Sequence, residues 1–456
     1  MDVLFLSRIQ FALNSACHFV YPPISIGLGL MLVVMEGLYL KTKNPKYKEM
    51  TDFWIKIFAL TFALGVATGI VQVFAFGTNW ARYSRFVGDV FGSALASEGI
   101  FAFFLESGFL GVLLFGWNRV GPKLHYFSTI MVAFGAHFSA IWILVANSWM
   151  QTPAGYRIDT STGTPRAVVT NFWEMVFNPS AVDRICHVVL GCWLTGAFLV
   201  ISVGAYYMLR RRHQAVSRSM LKIGLCVAVV ALALQLVSGD SSAKIVAEYQ
   251  PAKLAAMEGL YKTIPSTPLS VIGWVDTENQ VVHSLQIPGM LSFMTYRNFT
   301  TPVAGLDQVP RDEWPNVGLV FQAYHLMVIM WALMALLAFL ACVQWKRGRL
   351  DQSRKLLWAL ICSVAFPHIA LQTGWICTEV GRQPWTVYKL LRTADGVSTV
   401  IDKGQVIGSL IMFSLIYTLL FALFLFLLDR KIKHGPELHP VTGEQVYRNP
   451  YTTREG

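Results

Sequence analysis

Charged side chains are scarce in this sequence, at 14% of 456 residues, and those present fall between long apolar blocks rather than along them. A soluble globular chain carries about a quarter charged residues, so the shortage excludes that class. Alternation is missing too: the apolar blocks run unbroken instead of switching at every second residue, which excludes barrel strands and leaves helices. Cysteine supplies neither a C-x-x-C pair nor a C-x-x-C-H motif. All seven (Cys17, Cys186, Cys192, Cys226, Cys342, Cys362, Cys377) lie in or beside apolar blocks, so neither a disulfide framework nor covalent c-type haem is expected. No internal repeat emerges, which argues against a repeat-built secondary transporter. Where a cleavable signal would have basic residues the N-terminus has Asp2, and the first apolar block is long and holds Pro22-Pro23, so that block is expected to stay in the mature protein.

What is present is hydrocarbon-compatible length. Blocks of spanning size cover roughly 8–37, 53–77, 93–116, 126–149, 185–209, 220–238, 317–345, 356–378 and 406–428. The reading is an all-α polytopic membrane protein with about nine transmembrane helices. The net charge of +11 is distributed by loop, which speaks for topology rather than nucleic acid. Lys41, Lys43, Lys46 and Lys48 follow the first block, Arg119 and Lys123 the third, Arg210, Arg211, Arg212 and Arg218 the fifth, Lys346, Arg347, Arg349, Arg354 and Lys355 the seventh, and Arg430, Lys431 and Lys433 the ninth. Every second loop is basic and therefore cytoplasmic, with the N-terminus outside and the C-terminus inside. The expected organisation is helices one to six over 1–238, an outer loop over 239–316, helices seven to nine over 317–430 and a cytoplasmic tail over 431–456.

Polar residues inside these blocks are the candidate chemistry. The eighth block ends in Trp375-Ile376-Cys377-Thr378-Glu379-Val380-Gly381-Arg382-Gln383-Pro384-Trp385, which reads either as an interfacial ion pair with aromatic anchors or as a site. His18 precedes Pro22-Pro23, whose missing N–H groups open the helix beside the imidazole; an interhelical hydrogen bond and a ligand role both fit. Glu98 and Glu106, eight residues apart, fall about 80° apart in azimuth and about 12 Å apart along a regular helix, as ion-pair partners or as a proton relay. His187 lies about one turn inside the fifth block. His325 and Met327 are about 200° apart and cannot face one centre from a regular helix. In the outer loop, residues 249–260 read as a short amphipathic helix with Lys253 and Glu258, a solvated cap when taken alone, and residues 280–284 read as strand-like. By topology His18, Glu98, His187, Met327 and Glu379 all belong to the outer half of the membrane, and the inner half reads as nearly free of polar groups. Imidazoles, a thioether and carboxylates on separate helices suit a haem-binding interior, since iron needs axial ligands and propionates need cations. A transporter would place such groups near the midplane.

Taken with Ser7-Arg8-Ile9-Gln10-Phe11-Ala12-Leu13, Phe62-Ala63-Leu64-Gly65-Val66-Ala67-Thr68-Gly69, Phe76-Gly77-Thr78-Asn79-Trp80, Phe101-Ala102-Phe103-Phe104-Leu105-Glu106-Ser107, Ile141-Trp142-Ile143-Leu144-Val145-Ala146-Asn147, Lys253-Leu254-Ala255-Ala256 and Gly381-Arg382-Gln383-Pro384-Trp385, the chain resembles subunit I of the cytochrome bd quinol oxidases along essentially its whole length. That resemblance implies a bacterial inner-membrane complex that oxidises ubiquinol or menaquinol at the outer face and reduces dioxygen to water with cytoplasmic protons. It also implies two haem b and one haem d, or a third haem b, together with a second membrane subunit and small accessory subunits, and no nucleic acid. By the same resemblance His187 and Met327 match the ligands of the low-spin haem b. Glu379 and His18 match ligands of the other two haems, and Glu98 a carboxylate at the oxygen-reducing centre. Glu106 matches the proton-path carboxylate, Trp375 a bridging aromatic and Arg382 a loop cation. Lys253 and Glu258 match the quinol-loop residues, with Glu258 as a water-accessible proton acceptor. Where the family commonly has arginine two residues before the methionine ligand, this chain has His325, a weaker and pH-dependent partner for a propionate. That residue and the short outer loop resemble the cyanide-insensitive branch. The alternative is a non-oxidase cytochrome b passing electrons from quinol to another acceptor.

Overall fold

The computed structural model describes residues 2–161 and 163–437, without the side chains of 101–103. Most of the tail expected over 431–456 lies outside the described residues. Among those described, nine helical segments are long and apolar enough to cross a membrane: Val3–Thr42, Pro45–Thr78, Gly88–Phe115, Pro122–Gln151, Ala181–Leu209, Gln214–Tyr249, Val317–Lys346, Arg354–Val380 and Lys403–His434. They are called the first to ninth spans below. With no hydrophobic drive between helices in lipid, their association rests on interdigitated side chains. The fifth span is the most enclosed of the nine. On one side its Leu199, Val200 and Val203 meet Leu28, Met31 and Leu32 of the first span and Trp54, Ile57 and Phe58 of the second. On the other, Leu194, Phe198 and Ile201 meet the sixth, seventh and eighth spans through Leu225, Met334 and Leu360.

Three spans are interrupted, and two of the interruptions carry a polar candidate. The first is two helices, Val3–His18 and Tyr21–Thr42, broken just after His18 as the prolines require. Pro22 and Pro23 sit in the opening turn of the second helix, where a missing N–H costs nothing. The eighth is likewise split, into Arg354–Cys362 and Ala365–Val380. In the third span, Glu98–Phe103 forms a π-helical segment. Its i→i+5 turns are wider than α turns, so the azimuth expected between Glu98 and Glu106 for a regular helix does not hold.

The sixth span runs past residue 238, where the apolar pattern stops, as far as Tyr249. Polar side chains sustain the extension: Lys244 pairs with Asp240 one turn earlier at 2.7 Å, and Ser242 donates to Asp183 of the fifth span at 2.5 Å. Beyond it the connecting loop forms a helix at Pro251–Glu258 and an antiparallel hairpin of Leu269–Asp276 with Val281–Ile287, which contains the strand expected near 280–284. The loop helix starts on Pro251 and stops at Gly259, whose φ of 67° is the left-handed conformation that favours glycine. Its Leu254, Ala255 and Ala256 pack on Val317, Val320 and Ala323 of the seventh span and Cys377 of the eighth.

Candidate active site

The Trp375–Trp385 stretch is a junction of four elements. Arg382, 3% exposed, forms an ion pair with Glu379 one turn earlier. The other carboxylate oxygen of Glu379 accepts from Asn147 Nδ2 at 3.1 Å and Gln151 Nε2 at 3.5 Å, both from the fourth span. Asn147 Oδ1 in turn accepts from Arg184 Nη2 of the fifth span at 2.6 Å, and Gln151 Oε1 accepts from Lys253 Nζ of the loop helix at 2.6 Å. Gly381 lets that lysine pass: an added Cβ would lie 2.8 Å from Lys253 Cγ. A cavity of about 150 Å³ opens here, lined by Lys253, Arg382, Trp385, Glu313, Tyr388 and others. The loop cation and the Glu379 cluster thus form one continuous polar assembly.

The loop helix is not the solvated cap its sequence suggests. Lys253 is 3% exposed and Glu258 1% exposed, because the helix lies pressed between the ends of the seventh and eighth spans. Burial, with the charges of Arg184 and Arg382 beside it, holds the Lys253 ammonium well below the usual lysine range. Burial also pushes the Glu258 carboxyl up to about 8, against a bond from the Ser270 N–H at 3.2 Å and another from the Tyr324 hydroxyl. The expected water-accessible base is therefore a buried one. His325 is engaged in the same place: Nδ1 faces the Phe321 carbonyl at 2.8 Å and Nε2 the Ser270 carbonyl at 3.0 Å, tying the hairpin to the seventh span. Both ring nitrogens face backbone carbonyls, and a neutral imidazole, with a single N–H, can donate to only one of them.

His18 faces the second span. The hydroxyl proton of Thr68 goes to the Leu64 carbonyl at 2.8 Å, so Thr68 Oγ1 accepts from His18 Nδ1 at 3.0 Å. That bond fixes the tautomer and leaves the Nε2 lone pair available to a metal. The eighth span approaches the same break: Gln372 Nε2 donates to the Ala16 carbonyl at 2.9 Å, and Trp375 meets Phe19 edge-on with ring centroids 5.4 Å apart. Trp375 therefore stands between the His18 and Glu379 regions. On the third span Glu98 accepts from Ser139 Oγ at 2.6 Å, while Glu106 is buried.

His187 and Met327 are held at a meeting of four spans. The His187 ring has Nδ1 3.0 Å from Ser238 Oγ, and the Gln235 amide lies 3.0 Å from Nε2. Met327 Sδ lies over Gly374, where an added Cβ would be 3.1 Å away. One turn deeper, Gly191 of the fifth span abuts Leu371 of the eighth, and Trp331 Nε1 of the seventh donates to the Leu232 carbonyl of the sixth at 3.3 Å. These crossings put the imidazole and the thioether at matching depth.

The residues fit haem on three observations. His18, His187, Met327, Glu98, Trp375 and Glu379 lie in apolar spans, yet packing leaves each partly accessible, Glu379 by 35% of its side chain. The His18 tautomer suits ligation. Finally, Arg382 Nε and Nη1 and Arg184 Nε are buried donors with no acceptor, which matches the need of propionates for cations. For iron to meet His187 Nε2, the Gln235 amide must swing aside.

Several members of the site are not among the residues the sequence singles out. Arg184, Asn147, Gln151, Tyr324 and Thr68 bind the candidates directly, and each stands at a span end or inside an apolar block, the signal that could have flagged it. The half of the bundle next to the basic loops, expected to be nearly apolar, is also not free of polar groups. Glu36 of the first span and His125 of the fourth are buried together, 2.6 Å apart. Glu36 was visible inside an apolar block, but its partner lies just outside one.

A sequence profile of the family described as cytochrome bd terminal oxidase subunit I matches residues 6–436. Cytochrome bd-II ubiquinol oxidase subunit 1 of Escherichia coli strain K12 is 36% identical over 502 residues, covering 95% of this chain and 97% of that protein. Cytochrome bd ubiquinol oxidase subunit 1 of Bacillus subtilis strain 168 is 38% identical over 448 residues, covering 96% and 95%. Among solved structures, the bd oxidase from Geobacillus thermodenitrificans superposes with a TM-score of 0.87 at 29% identity, over 95% of this chain and 99% of that one. With the profile matched along nearly the whole chain and the helical fold shared, this multi-pass membrane protein belongs to the cytochrome bd terminal oxidase subunit I family.

Proposed function

We propose that the chain is the haem-bearing subunit of a terminal oxidase of the bacterial inner membrane, oxidising quinol at its outer face and reducing dioxygen to water with cytoplasmic protons. The observation that carries the reading is the chain of contacts from the loop helix to the eighth span: Lys253 to Gln151, Gln151 to Glu379, Glu379 to Arg382. It joins a cavity fit for a small aromatic diol to the Glu379 carboxylate, a group suited to iron. In this reading His187 and Met327 hold a low-spin haem b, Glu379 and His18 the other two haems, a second haem b and a haem d or third haem b. Arg382 and Arg184 neutralise propionates. Bound there, the haems supply one-electron transfer and dioxygen reduction.

The chain's own residues bind quinol and manage protons. Lys253, on the cavity wall, donates to a quinol oxygen, and Glu258, five residues on along the same helix and not itself on that wall, takes the quinol proton and releases it outward. His325 fixes the Ser270 peptide whose N–H orients Glu258. Trp375 packs between the His18 and Glu379 regions. Glu98, oriented by Ser139, holds a proton near His18, and Glu106, deeper in the third span, brings protons from the basic-loop side. The loops at 41–48, 119–123, 210–218, 346–355 and 430–433 are cytoplasmic. The exposed apolar faces of the third and ninth spans, with Phe104 and Leu419 each 70% exposed, suit the second subunit and lipid. Reduced-minus-oxidised spectra of the purified complex, with and without CO, test the reading. Low-spin and CO-reactive haem signals are expected together. Haem without CO reactivity leaves a non-oxidase cytochrome b, and no haem at all overturns the proposal.

A further inference from the structure

The buried Glu36–His125 pair has no part in the site above. Its side chains are 1% and 0% exposed, with Glu36 Oε1 2.6 Å from His125 Nδ1. Thr129 Oγ1 donates to Glu36 Oε2 at 2.5 Å, and His125 Nε2 faces the Leu113 carbonyl at 3.2 Å. The Trp117 ring stacks on the imidazole at 3.9 Å, and Lys48 Nζ lies 5.3 Å over that tryptophan. The Tyr126 hydroxyl is beside Gly37. First, third and fourth spans therefore meet on a carboxylate and an imidazole close to the lysine-rich loop at 41–48. An apolar contact would join these helices with no cost of desolvating two ionisable groups.

The third span gives the pair a direction. Glu106 and Leu113 are the buried residues of its helix Phe104–Phe115. Seven residues at 100° each come within about 20° of two full turns, so the two share a face, about 10 Å apart along the axis. Leu113, whose carbonyl His125 faces, thus lies two turns along the helix from Glu106, with the two side chains on the same face.

We propose that Glu36 and His125 form the proton-uptake station on the basic-loop side that supplies Glu106, which rests on the reading of Glu106 as a proton carrier. A proton reaching the pair past Trp117 lodges between Glu36 Oε1 and His125 Nδ1. Another leaves His125 Nε2 along the Leu113 face, through water between the third and fourth spans, to Glu106. Each proton taken up is matched by one passed on, so the proton count of the pair is unchanged; the transfer leaves the imidazole N–H on Nδ1 instead of Nε2, and the ring must exchange tautomers before the next proton passes. Only N–H and O–H bonds change, and the electrons for oxygen come from quinol.

The test uses the complete oxidase complex in proteoliposomes, reading haem content and the rate of proton uptake when the reduced enzyme meets oxygen. Glu36→Gln is expected to keep haem and slow proton uptake about tenfold or more. Glu36→Asp, whose shorter side chain still carries a proton, recovers part of the rate. Should Glu36→Gln not assemble, His125→Gln reads the same quantity, since its amide can donate to Leu113 but cannot relay a proton. Wild-type uptake in Glu36→Gln or His125→Gln overturns the station. So does equal slowing in Glu36→Gln and Glu36→Asp, which marks a purely structural clamp. A normal rate in Glu106→Gln overturns the carrier reading together with the station, whereas a slow Glu106→Gln beside a fast Glu36→Gln overturns the station alone.

Discussion

Replacing Glu258 with Gln separates the proton chemistry of that residue from its place in the fold. The carboxyl is 1% exposed and is pushed by burial up to about 8. A group of that pKa is ionised in about a tenth of molecules at pH 7 and in about half at pH 8. If the ionised form accepts the quinol proton, wild-type turnover at saturating quinol should rise about fivefold between those values and then level off. Gln has the shape of the protonated acid and can still accept from the Ser270 N–H, so assembly and haem content should persist. The rise with pH should vanish, and the rate fall about a hundredfold. Stability moves with a definite sign. Because the folded value lies above the ordinary 4.5, the group's contribution is complete below about 4.5 and is lost as pH rises through about 8. At about 1.4 kcal/mol per unit, the full span is on the order of 5 kcal/mol. The Gln variant should therefore lose less thermal stability than wild type across that window. Oxygen uptake per haem and thermal unfolding, measured in the same buffers, check both parts. A flat wild-type profile, or the same rise in the variant, would show that Glu258 does not take the quinol proton.

Three further substitutions probe separate parts of the site. Met327→Leu keeps volume but removes the soft sulfur, so one low-spin haem should drop in midpoint potential or turn high-spin; an unchanged spectrum and midpoint removes Met327 from the ligand set. Thr68→Val takes away the acceptor for His18 Nδ1, and a weakening of haem binding by about tenfold or more is expected in a haem-extraction titration, against no change if His18 is only a packing residue. Lys253→Met keeps the buried stem but removes the donor that meets Gln151, and should raise the KM for quinol with haem bands unaltered; a normal KM would show that Lys253 does not contact quinol.

The spans were legible because hydrocarbon tolerates only long apolar helices, so block length alone located all nine within a few residues at most ends. The breaks beside His18 were legible through proline, which leaves a chemical mark. The end of the sixth span was not, since Asp240, Lys244 and Ser242 satisfy one another and their neighbours along a helix that hydropathy alone cannot follow. Nor was the π segment at Glu98–Phe103, where nothing in the composition departs from an ordinary helix. At the site, the ion pair of Glu379 and Arg382 could be expected from their spacing of three residues. Lys253 and Glu258 looked solvated because burial of the loop helix depends on distant partners, Val317, Val320 and Cys377. The pair of Glu36 and His125 escaped notice for the same reason: each residue alone resembles a helix-end polar group, and only the packing of the first span on the fourth makes them a unit.

The central claim is that quinol oxidation outside is coupled to oxygen reduction with protons drawn from the basic-loop side through Glu106. Reconstituting the two-subunit complex in proteoliposomes, with oxygen uptake per haem and membrane potential recorded together, tests this most directly. Wild type should consume oxygen on addition of quinol and build a potential. Glu106→Gln should keep its haems and CO binding yet lose most of both signals, and Glu106→Asp should recover part. Oxygen uptake and potential per haem at the wild-type level in Glu106→Gln would contradict the account.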